Sequence, residues 1–265
     1  MKKSLYISLS TLAFMALFSL GSVAEATHSW GSYHWARTAN PFTLQLGNNT
    51  SGAWTSLLNT ASTAWSTTSP SYTNTLNTTV VASGKSPKSC RATLGRVEVC
   101  NASYGNNGWL GLAQIWIYSN GHIAQGTVKN NDSYFMNKAE KLHVICQEIG
   151  HTFGLDHQSV SGASLDTCMD YYHNTSDSDT KSTRPNAHDY EELGIIYGGH
   201  TDTFNSYTAA SASTRGFSSL AQSGDFEKAS EWGKSLRKDS KGRNSLFERD
   251  LGGGNKVFTF VIWAD

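Results

Sequence analysis

The sequence has no excess of charge of either sign. Its 265 residues include 21 Lys and Arg against 21 Asp and Glu. Nucleic acids and anionic membrane surfaces attract proteins that carry a surplus of basic side chains. The balanced composition therefore favours neither as a partner.

The sequence has only one long apolar run, and this run lies near the N-terminus at Leu5–Leu20. Lys2 and Lys3 precede it and the small-residue segment Ala24–Ala26 follows it, a pattern typical of a secretory signal peptide with its cleavage site. We therefore expect residues 1–26 to be a signal peptide. No second run approaches the roughly 20 apolar residues that a membrane helix needs, so we expect a secreted, extracellular product without membrane insertion.

Cysteine is scarce, with four residues in the whole chain. An even number in an exported protein suggests two disulfides, for which three pairings exist, although buried free thiols are the alternative. We favour Cys90 with Cys100 and Cys146 with Cys168. The second pair would join the residue before Gln147 to the residue before Met169 and hold both segments rigid.

The segment Gln147–His157 has the spacing of a metal site at the end of a helix. Residues 147 and 151 are four apart, so on a helix they share a face, lie about 6 Å apart along the axis and can contact one ion. Glu148 is next to them and could take a proton from water at that ion. Gly154 can adopt the positive φ that ends a helix. His157 could then return as a third ligand.

This segment resembles the metzincin signature of zinc peptidases, H-E-x-x-H-x-x-G-x-x-H followed by a methionine turn. Met169, in the segment Cys168–Tyr171, stands at the position of that turn. Within the metzincins the chain is most similar to bacterial matrixin-type peptidases, because it also carries Tyr33–Thr38 and Pro185–Tyr190. The resemblance covers about residues 28–200.

The resemblance implies a function and a set of site residues. Zn²⁺ would be held by Gln147, His151 and His157, and Glu148 would act as the general base that deprotonates the attacking water. Tyr171, two residues after the turn methionine, would be an auxiliary ligand or would donate a hydrogen bond to the oxyanion. The chain would then be a zinc metalloendopeptidase whose partner is a peptide or protein substrate.

Gln147 departs from the signature, which has histidine at this position. Zinc prefers imidazole, thiolate or carboxylate to a neutral amide oxygen. Three alternatives follow: Gln147 is a weak ligand, another side chain completes the site, or the ion is lost and a catalytically silent module binds peptide or glycan. His143 cannot be the replacement, because eight residues of helix separate it from His151 by about 12 Å.

Periodicity predicts the elements around this segment. Strand patterns occur at Phe42–Leu46, Leu76–Ala82, Arg96–Cys100, Ala113–Tyr118 and Gly121–Lys129. Helical patterns occur at Trp54–Trp65, at Asn137–Phe153 with a capping box formed by Asn137 and Glu140, and at Asn186–Tyr197. On the second helix we expect Ile145 and Ile149 to face the core and residues 147, 148 and 151 to face the other way.

Together with the resemblance, these elements predict an α+β, metzincin-like fold. It would contain a twisted mixed β-sheet, an active-site helix and a C-terminal helix, with a catalytic domain over residues 27–205. Residues 206–265 would form a linker, rich in Ser, Thr and Ala at 206–223, and a β-hairpin extension of Ser245–Arg249 and Val257–Trp263. This hairpin either packs on the main domain or forms an appendage.

Two further expectations concern surface features. In metzincins an antiparallel edge strand binds the substrate backbone, and its position corresponds to His122–Gly126 or to the residues just after it. Histidines outside the signature are more often surface or packing residues than ligands, and we interpret His122, His173, His188 and His200 in this way.

Overall fold

The computed structural model describes residues 27–66, 74–206 and 226–265. The expected signal peptide and nearly all of the expected linker lie outside the described residues. Among the described helices, none combines the length and the apolar character needed to span a membrane.

The described residues form a mixed α+β fold, in which one large sheet carries helices, as the sequence predicts. The strands are β1 (His34–Trp35), β2 (Phe42–Asn49), β3 (Leu76–Ala82), β4 (Val97–Ala102), β5 (Trp109–Ile117), β6 (His122–Asn131), β7 (Lys234–Lys238), β8 (Asn244–Gly252) and β9 (Asn255–Trp263). The α-helices are α1 (Ala53–Trp65), α2 (Lys138–His151) and α3 (Ala187–Gly198). The strand order is β3-β2-β4-β6-β5-β9-β8-β7, and β1 pairs with β6.

The sheet has a parallel half and an antiparallel half that meet at β5 and β6. Strands β2, β3, β4 and β6 pair in parallel, whereas β5 is antiparallel to both β6 and β9. The prediction that His122–Gly126 form an edge strand is wrong. These residues belong to β6, which pairs with β1, β4 and β5. Without β9, the antiparallel strand β5 would have no strand partner on one of its two sides.

The C-terminal hairpin is part of this sheet. β9 pairs with β5 from Trp109 to Ile117, and β8 and β7 extend the sheet beyond it. One apolar cluster, between the sheet and the helices, includes Phe258 and Phe260, and a second cluster on the opposite face contains Trp109 and Trp116 together with Trp232. As a result, every residue of β5 is buried.

Helix α2 begins and packs largely as its sequence predicts. The side chain of Asn137 accepts a hydrogen bond from the backbone N–H of Glu140 at 2.9 Å. The reciprocal half of the capping box is absent, because the Glu140 carboxylate instead accepts from the backbone N–H of Asn174 and bonds His173. Residues 147, 148 and 151, expected on a face away from the core, are buried as well.

Two disulfides connect the pairs that the sequence favours, Cys90 with Cys100 and Cys146 with Cys168. The second joins α2 to the segment that contains Met169. Met169 is fully buried, and its sulfur packs against Gly150 so closely that a Cβ at Gly150 would overlap it. The turn methionine therefore lies directly against α2.

We predict that Gly150→Ala destabilises the protein by roughly 1–3 kcal/mol. The added Cβ would overlap the Met169 sulfur and come within 2.7 Å of the Trp65 ring, so both side chains must move. The free energy of unfolding, measured by denaturant titration with a chelator present, tests this.

Gly194→Ala in α3 is the matched control. A Cβ at Gly194 meets nothing within 4 Å, so helix propensity alone should stabilise the protein by about 0.5–1 kcal/mol. Equal stability of the Gly150→Ala variant and the wild type would contradict the packing described at Met169.

Candidate metal centre

Two imidazoles converge where α2 ends. His151 is the last residue of α2, and its Nε2 lies 3.1 Å from Nε2 of His157. The chain returns through Gly154, which has a φ of 103° and lies so close to the Tyr33 carbonyl that a Cβ would come within 2.7 Å of that oxygen. Only glycine fits this turn without strain. The turn is what brings His157 back to the helix end.

The distance between the two nitrogens suits a shared metal ion. Zn–N bonds of about 2.0–2.1 Å in tetrahedral geometry place two ligand nitrogens about 3.3 Å apart. Nδ1 of His151 is 2.8 Å from the Leu155 carbonyl, which can only accept, so this nitrogen carries the proton and Nε2 has a free lone pair. Burial lowers the pKa of His151 to about 3 and lowers that of His157 well below its usual value. Both rings are therefore neutral at pH 7.

Gln147 is anchored by one end of its amide. Its Nε2 donates to the carbonyls of Cys168 at 2.9 Å and Asp170 at 2.5 Å, on either side of Met169. Its Oε1 is buried and has no hydrogen-bond partner. A buried carbonyl oxygen without a partner is costly, and a cation nearby would satisfy it. Among the three alternatives for this position, weak ligation by Gln147 is therefore chemically possible.

Glu148 is a buried carboxylic acid without a normal hydrogen-bond partner on either oxygen. It packs against β5 at Gly111, where a Cβ would lie 2.7 Å from Oε1. Burial raises the pKa of Glu148 well above its usual value, and the nearby backbone of Ala113 and Ile262 opposes this only in part. At neutral pH such a group is suited to hold and release a proton.

Glu148 does not join His151 and His157 as a third ligand. Among the described residues, the His, Cys, Asp or Glu side chains whose ligand atoms all lie within 4.8 Å of one another are His34, His122 and Asp202. Sequence reasoning missed this group and interpreted His122 as a surface or packing residue. The three residues come from distant parts of the chain, so no local spacing could have indicated them.

Tyr171 lies beside the histidines, but β9 uses its hydroxyl. The Tyr171 ring meets the His157 ring at 5.1 Å between centroids. Its hydroxyl donates to the Val261 carbonyl at 2.8 Å and accepts from the Trp263 backbone N–H at 2.9 Å. Burial raises the pKa of Tyr171 further above its usual value. The phenol is thus neutral and fully engaged by the hairpin in this conformation.

The hairpin also covers the histidines. Phe260 of β9 stacks on the His151 ring, with 3.9 Å between centroids and 13° between planes. No more than 4% of the surface of any of the residues Gln147, Glu148, His151, His157 and Tyr171 is exposed. The sequence predicts β9 as a strand, but it does not show that Phe260 lies over His151.

Comparisons with known proteins do not assign this site. No family model matches the chain, and no curated protein matches it. A functional assignment therefore depends on the chemistry of the site itself.

We predict that Glu148→Gln makes the metal-free protein more stable relative to wild type as the pH rises. A carboxyl group with a raised pKa in the folded state binds its proton more tightly there than in the unfolded state. Above the unfolded pKa of about 4.5 the wild type therefore loses stability, by up to about 1.4 kcal/mol per pH unit until the folded-state pKa is reached. Gln does not titrate, so the difference between the variant and the wild type should widen from pH 4.5 upward.

Glu98→Gln provides a control of opposite sign. Burial opposes ionisation of Glu98, but hydrogen bonds from side chains that include Ser83, Asn49 and Arg96 outweigh it and lower the pKa of Glu98. Its substitution should therefore cost stability at neutral pH, and this cost should shrink as the pH falls below the unfolded pKa. Denaturant titrations from pH 4 to 8 measure both variants; parallel profiles for Glu148→Gln and wild type would contradict the first prediction.

Proposed function

We propose that this protein is a secreted zinc-dependent endopeptidase of the metzincin type, similar to bacterial matrixin-type peptidases, and that its C-terminal hairpin holds it latent. The observation that carries the proposal is the 3.1 Å approach of the His151 and His157 Nε2 atoms at the end of the helix that also bears the buried Glu148. Met169 against the same helix adds support. The signal-peptide pattern and the two disulfides support export.

In this proposal His151 and His157 hold Zn²⁺ through Nε2, and Gln147 contributes its unpaired Oε1 as a weaker ligand. A bound zinc ion supplies Lewis-acid polarisation of the scissile carbonyl and makes water more acidic. Because all three ligands are neutral, they leave more positive charge on the metal than an anionic ligand would. Metal retention is expected to be weaker than with three histidines.

Glu148 is the proposed proton carrier. It accepts a proton from water as the water oxygen bonds to the scissile carbonyl carbon, and it donates that proton to the amine nitrogen when the C–N bond breaks. The raised pKa of Glu148 makes its carboxylate a stronger base toward the proton of water in the first step. Tyr171, once its hydroxyl is released from Val261, can donate to the oxyanion.

Latency is inferred from what occupies β5. An extended substrate could add to the antiparallel side of β5 as a new strand. β9 already pairs there over the length of β5, and its Phe260 covers His151. A peptide substrate and β9 would therefore compete for one place, and release of β9 must precede cleavage.

A catalytically silent peptide- or glycan-binding module is the second candidate. The anchoring of the Gln147 amide to Cys168 and Asp170 favours it, since these bonds stabilise the turn with no metal. The two candidates differ in metal content and in chelator-sensitive cleavage. Absence of both zinc and cleavage in wild type and in the released variants described next would support the module.

We predict that Phe260→Ala raises chelator-sensitive cleavage of an unfolded protein substrate at least tenfold over wild type. Loss of the stacked ring uncovers His151 and weakens the hold of β9 on β5. Phe258→Ala is the matched control: it removes a phenylalanine ring from the same strand, but the ring contacts of Phe258 are with Trp30 and Tyr33, whereas Phe260 also contacts His151 and His157. Equal activation by both variants would point to general destabilisation. It would contradict the proposal that Phe260 specifically covers His151.

In the Phe260→Ala background, we predict that Glu148→Gln lowers the cleavage rate by about 10²–10⁴-fold. Zinc content should stay the same, because Glu148 is not a ligand. Cleavage rate and zinc per chain are measured on the same preparation, with Glu98→Gln as a control for loss of a buried carboxylate elsewhere. Unchanged cleavage with full zinc content would end the assignment of Glu148 as general base.

A further inference from the structure

A second group of possible metal ligands lies on the parallel half of the sheet, where β1 meets β6. His34 and His122 are partners in the β1–β6 register, and Asp202 follows α3. Oδ1 of Asp202 lies 3.0 Å from Nε2 of His122 and 3.6 Å from Nε2 of His34. Ligand atoms of a tetrahedral zinc site lie about 3.3 Å apart, so both distances are close to those of a formed site.

The His34 ring is held with its free nitrogen toward this group. Nδ1 of His34 lies 2.7 Å from the Ser32 carbonyl, which can only accept, so Nδ1 carries the proton. With the proton on Nδ1, the lone pair of the ring is on Nε2, which faces His122 and Asp202. A backbone carbonyl that orients the far nitrogen is the usual support of a metal-binding histidine.

The two oxygens of Asp202 have separate partners. Oδ2 accepts from the backbone N–H and from Nη1 of Arg37, both at 3.1 Å, while Oδ1 faces the imidazoles. Arg37 is itself buried and is fixed by the carbonyls of Tyr197 and His200. The carboxylate is thus positioned by a rigid neighbour, and its second oxygen remains directed at the two rings.

His200 contacts His34 but does not belong to the group, because its ligand atoms do not lie within 4.8 Å of all three members. Its Nε2 lies 3.2 Å from Nε2 of His34 and 3.4 Å from Nη1 of Arg37. Arg37 can only donate, so this contact calls for a lone pair on the His200 nitrogen. Two lone pairs then face each other between His34 and His200. A cation bound by Nε2 of His34 would remove this unfavourable arrangement.

We propose that His34, His122 and Asp202 form a divalent metal site distinct from the His151–His157 pair. Imidazole and carboxylate donors in this number select zinc among the metals that exported proteins commonly bind. His200 is exposed, and together with His34 it lines a surface cavity of about 440 Å³ through which an ion can enter. The site joins three segments that are remote in sequence.

The test is a zinc titration of the chelator-stripped protein against a competing chromophoric chelator, for wild type, His34→Gln and His122→Gln. Gln at 122 can still donate to Asp202, so the fold should survive while the imidazole ligand is lost. Each variant should bind one zinc fewer per chain than wild type. Zinc should also raise the thermal unfolding midpoint of wild type more than that of either variant.

His188→Gln, a change in α3 outside both groups, is the control and should bind as wild type does. Two zinc ions in wild type and one in the variants would support both sites, while one in wild type and none in the variants would support this site and count against the proposed catalytic one. The proposal is overturned if both variants, with unfolding midpoints in chelator equal to wild type, bind as many zinc ions as wild type, or if wild type binds none.

Discussion

The pairing of β9 with β5 is the interaction on which the state of the candidate metal centre depends. β5 carries hydrogen bonds on both of its sides and apolar clusters on both of its faces. That pairing places Phe260 on His151 and the backbone of Ile262 near Glu148. It also supplies both hydrogen bonds of the Tyr171 hydroxyl. Removing this one strand would therefore change the solvent exposure and the hydrogen bonding of the whole centre together.

Under β9, several buried polar atoms lack a normal hydrogen bond. Oε1 of Gln147 has no partner, the oxygens of Glu148 are approached only by the backbone of Ala113 and Ile262, and Nδ1 of His157 lies 3.8 Å from Oδ1 of Asp156. Each such group costs roughly 1–3 kcal/mol, and more if it is charged. Proteins retain buried polar groups without hydrogen-bond partners mainly at functional sites. Oε1 of Gln147 is four residues from His151 on the same helix, so a cation bound by the two imidazoles could satisfy it.

The sequence predicts what depends on neighbouring residues. The strand patterns, the Asn137 cap, the turn at Gly154 and the α3 helix follow from spacing and from single-residue chemistry, and the disulfide pairs could be inferred because one of them links two motif segments. Contacts between segments distant in sequence cannot be predicted from spacing in this way. The predicted capping box fails because the Glu140 carboxylate finds Asn174 and His173, and the predicted edge strand fails because β1 and β4 pair with β6. The contact of Phe260 with His151 and that of His34 with Asp202 are also contacts between distant segments that spacing does not predict.

The N-terminal segment physically connects the two groups of histidines. Beside His34, the indole of Trp35 donates to the Thr152 carbonyl at 2.7 Å, and that of Trp30 donates to the His151 carbonyl at 3.3 Å. Both acceptors lie at the end of α2, where helical carbonyls have no partner within the helix. β1 contains only two residues and has little pairing of its own to hold it. A cation shared by His34, His122 and Asp202 would fix β1 to β6 and to the segment after α3, and so would hold in place the two indoles that support the turn from His151 to His157.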